Sequence, residues 1–148
     1  MTEIVIASPE EAEDDAFVDI VTGLVNSVYA DGEKGIWAEG TARTDRDELA
    51  SIVRAGELAV ARRDGMVLGS ARIRLLPSGE AEFGMLAAHP AHRGTGLGRD
   101  LLAFGEARAR GRGVATMQLE VLFPTEWEHP VKVFLRDWYL RSGYRIVR

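Results

Sequence analysis

Three glycines at alternate positions stand directly before an apolar helical pattern: residues 90–98 read PAHRGTGLG, and RDLLAFGEARARGRG follows. Glycine leaves the backbone of a turn open to a ligand, because it has no side chain to hold that ligand away. The start of a helix also carries unpaired N–H groups and partial positive charge. The sequence therefore predicts an anion site of about the size of a pyrophosphate at this helix start.

The residues ahead of the glycine turn predict a strand and two helices. Residues 3–7 (EIVIA) form a strand-like run, and SPEE at 8–11 has the form of a capping box. The helix that starts there has an apolar stripe between residues 17 and 28, which we expect to be buried. A second helix is predicted from about residue 45 to Gly56.

Three antiparallel strands are expected next. Asp64–Gly65 lies between two strand-like runs and predicts a hairpin, and the turn at residues 77–80 leads into the strand AEFGMLAAHP at 81–90.

The residues after the glycine turn predict a parallel crossover. A helix ends near Gly111 or Gly113, the run VATMQLEVL at 114–122 is a strand, and a further helix covers 131–141. A last strand begins at residue 144, where only five residues remain. The whole order predicts an α/β fold of the α+β type, with a mixed sheet whose crossover is right-handed.

Composition limits the classes of function. A chain of 148 residues that is 46% hydrophobic suits one domain spanning residues 1–148. It has no cysteine, which excludes a thiolate metal site and a cysteine nucleophile, and its net charge of −5 argues against general nucleic-acid binding. The acidic N-terminus has no signal-peptide pattern and no apolar run is long enough to span a membrane, so we expect a cytoplasmic protein.

Two ligand classes fit the glycine turn poorly. A phosphate loop of the Walker type needs Lys and Ser or Thr after its last glycine, but Arg99 and Asp100 follow Gly98. A dinucleotide-binding turn needs a third glycine where Arg99 stands, although Glu120 could serve as the ribose-binding acid. A Rossmann-type dinucleotide-binding protein therefore stays as a less favoured alternative, because the turn follows an antiparallel meander.

The stretch HPAHRGTGLG at 89–98 resembles the coenzyme A motif of the GNAT acyltransferase superfamily, [Q/R]-x-x-G-x-[G/A], at Arg93, Gly96 and Gly98. WYLRSGY at 138–144 resembles the aromatic-Tyr-x-x-x-Gly-aromatic segment of the same superfamily. The element order read above is also similar to that of the family over nearly the whole chain. The resemblance implies a GNAT-type fold of order β-α-α-β-β-β-α-β-α-β, with the last strand pair shortened or absent.

The resemblance implies an acyltransferase that moves an acetyl or other acyl group from acetyl-CoA directly to a primary amine of an unidentified small molecule or peptide. The turn would hold the pyrophosphate, and the strand at 81–90 would pair with the pantetheine amides where it diverges from the next strand. Gly84 would accommodate a bulge there. The implied coenzyme A-binding residues are Leu86, Ala87, Ala88, Arg93, Gly94, Thr95, Gly96, Leu97, Gly98 and Arg99.

The family's acid and base fall on two residues of this sequence. Tyr139, four residues before Gly143, would be the general acid that protonates the leaving thiolate. Glu82, eleven residues before Arg93, would be the general base, directly or through a water. An alternative stays open, in which Glu82 is an ordinary strand carboxylate and a water relay serves as the base. No metal is implied.

The sequence departs from the family at its C-terminal end. Only five residues follow Gly143, where relatives have two strands. The chain is truncated, or it is a shortened member, or a partner such as a second copy in a homodimer covers the exposed sheet edge. The departure also leaves open a non-catalytic acyl-CoA-binding or regulatory module.

The acceptor is expected to bind beside the first two helices and the loop near 123–130. Acidic residues there would attract a cationic amine and two tryptophans could pack on it: Asp31, Glu33, Glu39, Glu126 and Glu128, with Trp37 and Trp127. Solvated loops with anchoring tryptophans are the alternative.

Overall fold

A computed structural model describes residues 2–33, 42–92, 94–120 and 130–145. Five strands and four α-helices lie in these ranges: β1 Glu3–Ile6, α1 Asp15–Gly32, α2 Arg46–Arg54, β2 Leu58–Arg63, β3 Met66–Leu75, β4 Ala81–Ala88, α3 Leu97–Gly111, β5 Met117–Gln118 and α4 Pro130–Arg141. Short 3₁₀ turns at Pro9–Glu13 and Pro90–His92 precede α1 and α3.

The five strands form one mixed sheet in the order β1-β2-β3-β4-β5. The first four are antiparallel, and β5 runs parallel to β4, as the crossover through α3 predicted. Asp64 and Gly65, with φ of 52° and 79°, make the tight turn of the expected hairpin. The predicted class of fold is confirmed.

Three elements differ from their predictions. The helix expected from Ser8 is divided, because Asp14 leaves helical geometry and its side chain accepts the Phe17 N–H at 3.1 Å, so α1 begins at Asp15. Of the strand expected at 114–122, only Met117–Gln118 pairs within the described residues. Tyr144 and residue 145 are not in a strand, and the rest of the expected last strand lies outside the described residues.

Each face of the sheet carries a separate hydrophobic core. Along β2, Leu58 and Val60 pack against α1 and α2, while Ala59 and Ala61 pack on the face covered by α3 and α4. This alternation follows from the two-residue repeat of a strand. The expected stripe of α1 is largely buried, but Ile20 is 56% exposed.

Two glycines let α3 lie close to the sheet. A Cβ on Gly105 would stand 3.1 Å from the Phe83 ring, which is tighter than ordinary contact. A Cβ on Gly69 of β3 would stand 2.9 Å from the Ala87 carbonyl oxygen and 3.1 Å from Leu97. The start of α3 is therefore pressed against β3 and β4. Within the described residues, no helix is long and apolar enough to cross a membrane.

Gly69→Ala should destabilise the protein by about 1–3 kcal/mol, because the added methyl meets a backbone oxygen that cannot move alone. Gly23→Ala is the matched control: a Cβ at Gly23, inside α1, meets nothing within 4 Å. That change should stabilise the protein by roughly 0.5–1 kcal/mol, because alanine is the better helix former. Urea unfolding midpoints test both, and equal effects of the two substitutions would contradict the close packing.

Candidate active site

The glycine turn presents unpaired N–H groups at the start of α3. Gly94 and Gly96 have φ of 77° and 86°, and Gly96 is the N-cap residue. The first intrahelical bond is donated by the Asp100 N–H to the Gly96 carbonyl at 2.9 Å. Among the described residues, the N–H groups of Leu97, Gly98 and Arg99 have no acceptor. The start of α3 therefore presents three N–H groups that an anion could accept from, as the sequence prediction requires.

A guanidinium group lies over this turn. The Arg99 Nη2 atom is 2.8 Å from the position that a Cβ on Gly96 would occupy, so the side chain folds back across the helix start. Arg99 also lies 3.7 Å from the Asp100 carboxylate, but both side chains are mostly exposed and such a pair is weak. Arg99 can therefore turn to an anion bound at the amides. Arg93 lies outside the described residues.

Strand β4 has a bulge just before the expected pantetheine-binding residues. Gly84 pairs with Arg72 and Ala87 pairs with Ser70, so β4 has one residue more than β3 between these pairs. Met85 takes the irregular backbone, with φ of 51°, and its side chain is buried. The bulge was expected at Gly84, and its strained residue is instead the neighbouring one. A non-glycine residue in this conformation is held there by its surroundings.

The edge of β4 is open beyond this bulge. Pairing with β5 ends at Glu82 and Gln118, so among the described residues no strand covers that edge further along. The His89 N–H, just after β4, donates to the carbonyl of Leu68 in β3 at 2.8 Å. By strand alternation, the Ala87 N–H also turns toward β3, and the N–H groups of Leu86 and Ala88 face the open edge.

Tyr139 lies in α4 at the side of this opening. It is 8% exposed, and its ring packs against Trp138 and Tyr144 at centroid distances of 4.9 and 6.0 Å. Burial raises the pKa of the Tyr139 phenol well above its usual value, and the nearby phenol of Tyr29 adds to the shift. The Tyr144 hydroxyl donates to Glu106 at 2.9 Å and so ties the end of α4 to α3.

Tyr29 of α1 joins these groups, although the sequence patterns did not single it out. Burial raises its pKa, while the Arg43 guanidinium and the Leu86 backbone amide are close enough to the phenolic oxygen to oppose that shift. Tyr29 also packs against the core that includes Met85 and Ala87 of β4. Its position four residues after the buried Val25 was the available signal, since it continues the inward stripe of α1.

Glu82 is held by partners on both neighbouring strands. Its Oε1 atom accepts from Arg74 Nε at 2.9 Å and Nη2 at 2.8 Å, and its Oε2 atom accepts from Gln118 at 3.3 Å. The side chain keeps 21% of its surface exposed. Glu82 therefore stands where β4 and β5 part, with its Oε1 engaged twice and its Oε2 once.

The expected acceptor residues are only partly described. Glu33 forms an ion pair with Lys132 at 2.7 Å, so its charge is already matched, against the expectation that it attracts a cationic amine. Residues 34–41 and 121–129, which include Trp37, Glu39, Glu126, Trp127 and Glu128, lie outside the described residues.

His89 accepts the Ala91 N–H through Nδ1 at 3.1 Å. In the described part of the chain, no three His, Cys, Asp or Glu side chains are grouped to hold a metal.

Residues 24–145 match the model of the acetyltransferase (GNAT) family. An amino-acid acetyltransferase of Azotobacter vinelandii is 29% identical over 114 residues, which cover 76% of this chain and 25% of that protein. The chain thus spans about a quarter of the curated relatives it matches.

Solved structures with low sequence identity share the fold. The PaiA N-acetyltransferase of Thermoplasma acidophilum, solved in complex with coenzyme A, superposes with a TM-score of 0.74 at 16% identity and covers 99% of this chain and 91% of its own. For the ribosomal-protein-S18-alanine N-acetyltransferase of Escherichia coli the TM-score is 0.71 at 17% identity, with 100% and 80% covered.

The three tyrosines should titrate late in the folded protein, because the pKa values of Tyr29, Tyr139 and Tyr144 are all raised from 10.0. Above pH 10 the unfolded chain then binds fewer protons than the folded one, so stability that is complete below that pH is lost as pH rises. Absorbance at the phenolate band should show that few of the tyrosines are ionised at pH 10 in the folded protein. In denaturant about half of them should be ionised at the same pH. Equal titration curves would contradict the burial of these phenols.

Proposed function

The chain belongs to the acetyltransferase (GNAT) family, and from this premise we propose that it transfers an acetyl group from acetyl-CoA directly to a primary amine. The acceptor is a small molecule or a peptide. The observation that carries the proposal is the meeting of the unpaired amides of α3 with the open edge of β4, beside a buried, protonated tyrosine.

Coenzyme A would bind along backbone rather than side chains. The amides of Leu97, Gly98 and Arg99 are free to hold the diphosphate, with Arg99 adding charge. Arg93, Gly94 and Thr95 complete the turn in this proposal. The pantetheine arm would pair with the Leu86 carbonyl and the Ala88 N–H as an added strand, which leaves the Leu86 N–H for the thioester oxygen. Ala87 belongs to the bulged strand, but its N–H faces β3 and is therefore not available to coenzyme A.

The reaction needs an oxyanion donor, an acid and a base. The amine nitrogen attacks the thioester carbonyl carbon, and the Leu86 N–H is placed to stabilise the negative oxygen that forms. The carbon–sulfur bond then breaks, and the thiolate takes a proton from the Tyr139 hydroxyl. Any phenol is protonated at neutral pH, so Tyr139 has a proton to give; burial raises its pKa and makes it a weaker acid, and its place beside the open edge is what supports this role. The sequence has no cysteine to carry the acyl group, which supports direct transfer.

We propose that Glu82 accepts the amine's proton through a water. An amine like that of lysine has a pKa near ~10.4 and is mostly protonated at neutral pH, so a base is required. The gap between β4 and β5 opens just past Glu82, and Oε2 has a single, longer bond to Gln118. Arg74 keeps the carboxylate in place for this role.

We also propose that a second copy of the chain covers the free edge of β5. Strand β5 has two residues in the described part of the chain, and Val131 and Phe134 of the following helix are 39% and 61% exposed. A short strand with a free edge and exposed apolar side chains on a helix both favour association.

Gly96→Ala should weaken acetyl-CoA binding roughly tenfold, because alanine disfavours the φ of 86° and its relaxation turns the amides of α3 away from the ligand. Gly111→Ala is the matched control at the other end of α3, where an added Cβ meets nothing within 4 Å. Calorimetric titration of both variants measures the effect. Unchanged affinity in Gly96→Ala would place the ligand elsewhere.

Tyr139→Phe should lower kcat roughly 100-fold with acetyl-CoA affinity unchanged, since only the proton donor is removed. Glu82→Gln should lower kcat/KM, because the proton of the amine then has no carboxylate to receive it. Arg74→Gln separates the roles of Glu82, because it breaks the ion pair and keeps the carboxylate. Thiol release with a panel of amines is the assay. A binding protein without catalysis would release no thiol, and equal losses in Glu82→Gln and Arg74→Gln would make Glu82 structural.

A further inference from the structure

A charged cluster at the C-terminal end of α1 has no role in the chemistry described so far. It consists of Tyr29, Glu33, Arg43 and Lys132. The Lys132 ammonium group is 2.7 Å from the Glu33 carboxylate, and both side chains are largely buried, at 6% and 13% exposure. This pair links α1 to α4 and matches one positive with one negative charge. The Lys132 nitrogen also lies 5.9 Å from the centre of the Tyr29 ring.

Arg43 is the cation of this cluster that has no matching carboxylate within the described residues. Its guanidinium carbon lies 5.3 Å from the centre of the Tyr29 ring, and no acidic side chain of the described ranges forms an ion pair with it. With Glu33 matched by Lys132, the cluster keeps one net positive charge. A guanidinium group that lies on an aromatic ring can still use its N–H edge to bind a carboxylate in two places.

The neighbouring residue holds Arg43 in position. Thr44 is 5% exposed, and the Asn26 side chain of α1 binds its backbone on both sides, accepting the Thr44 N–H and donating to the Thr44 carbonyl at 2.9 Å each. The Thr44 hydroxyl also donates to Glu48 at 2.6 Å. The backbone at Arg43 is therefore fixed to α1 next to Tyr29, and the arginine does not depend on a free loop for its place.

The Arg43 guanidinium lies next to the reaction centre of the proposed transfer. Tyr29 connects them, since Arg43 lies over its ring and the ring packs against the core that holds Met85 and Ala87 of β4. Lys132 of α4, the helix that carries Tyr139, lies 5.9 Å from the centre of the same ring. In an amino acid the amine and the carboxylate are separated by a single carbon, so one molecule can reach both places.

We propose that the acceptor is a free amino acid or a similarly compact amine that carries a carboxylate beside its amine, and that Arg43 binds this carboxylate. The proposal rests on the acyl transfer proposed above and decides its acceptor class. It turns the electrostatic expectation around, because the described surface beside Tyr29 offers an unmatched positive charge in place of a negative one. The internal amines of peptides and polyamines lack the neighbouring carboxylate and would not satisfy this arginine.

The test compares acceptors that differ only in the carboxylate. Thiol release from acetyl-CoA is measured with the twenty free amino acids, each beside its α-carboxamide, for the unchanged protein and for Arg43→Gln. Arg46→Gln is the matched control, because Arg46 is an exposed arginine at the start of α2 that pairs with Asp15 and Asp19. Arg43→Lys keeps the positive charge but lacks the two parallel N–H groups that bind both oxygens of a carboxylate. Acetyl-CoA affinity and the unfolding midpoint are measured for every variant.

The expected result is a free amino acid whose kcat/KM exceeds that of its carboxamide by roughly 10- to 100-fold, as one charged hydrogen-bonded contact allows. Arg43→Gln should remove that preference by raising KM for the amino acid, with the carboxamide, the acetyl-CoA affinity and the unfolding midpoint little changed. Arg46→Gln should keep the preference, and Arg43→Lys should restore part of it.

Two outcomes overturn the proposal in distinguishable ways. Carboxamides or polyamines used as well as amino acids, or equal losses for both acceptor types in Arg43→Gln, would refute the carboxylate-binding role and leave acyl transfer standing. Acetyl-CoA binding without thiol release for any amine would refute acyl transfer and the acceptor class together.

Discussion

The structure depends on a strand that is paired along one edge and released along the other. Strand β4 keeps its antiparallel partner β3 throughout, but its parallel pairing with β5 ends at Glu82. The bulge at Met85 bends β4 just past this point, and the burial of Met85 holds it there. Unpaired backbone near a core is costly unless a ligand satisfies it. The open edge, with the amides of α3 beside it, is therefore the place where we propose that coenzyme A completes the pairing of β4.

Close packing brings the second half of the site to that edge. Helix α3 begins against β3 and β4 because Gly69 has no side chain to separate them, and Gly105 allows the same approach further along. Helix α4 then joins through Trp138, whose ring comes within 3.9 Å of the place for a Cβ on Gly98, and through the bond from Tyr144 to Glu106. The free N–H groups of α3 and the buried Tyr139 are thus joined by close packing.

Three charged side chains lie on the side of the site where the acceptor is proposed to bind. Burial keeps Tyr29 and Tyr139 neutral, so the charges near them come from Glu33, Lys132 and Arg43. Two of these three neutralise each other across α1 and α4. The third, which the Asn26–Thr44 bonds hold next to Tyr29, is the charge that we propose binds the carboxylate of the acceptor. In this way a protein of net charge −5 has a local positive charge beside the proposed reaction centre.

Local patterns determined the order of elements, the hairpin at Asp64–Gly65 and the glycine turn at Gly94–Gly98 ahead of α3, because turn chemistry, capping and periodicity act over a few residues. The motif match singled out Tyr139, which is buried in α4, and its role as an acid stays a prediction. Tertiary structure alone decided that Met85 takes the strain, that Ala87 turns its N–H to β3 and that Tyr29 packs against the core beneath β4. It also decided that Lys132 matches Glu33, ninety-nine residues away, and leaves Arg43 as the unmatched cation. Such partners are set by how helices pack across a sheet, and no pattern in a short stretch of sequence carries that distance.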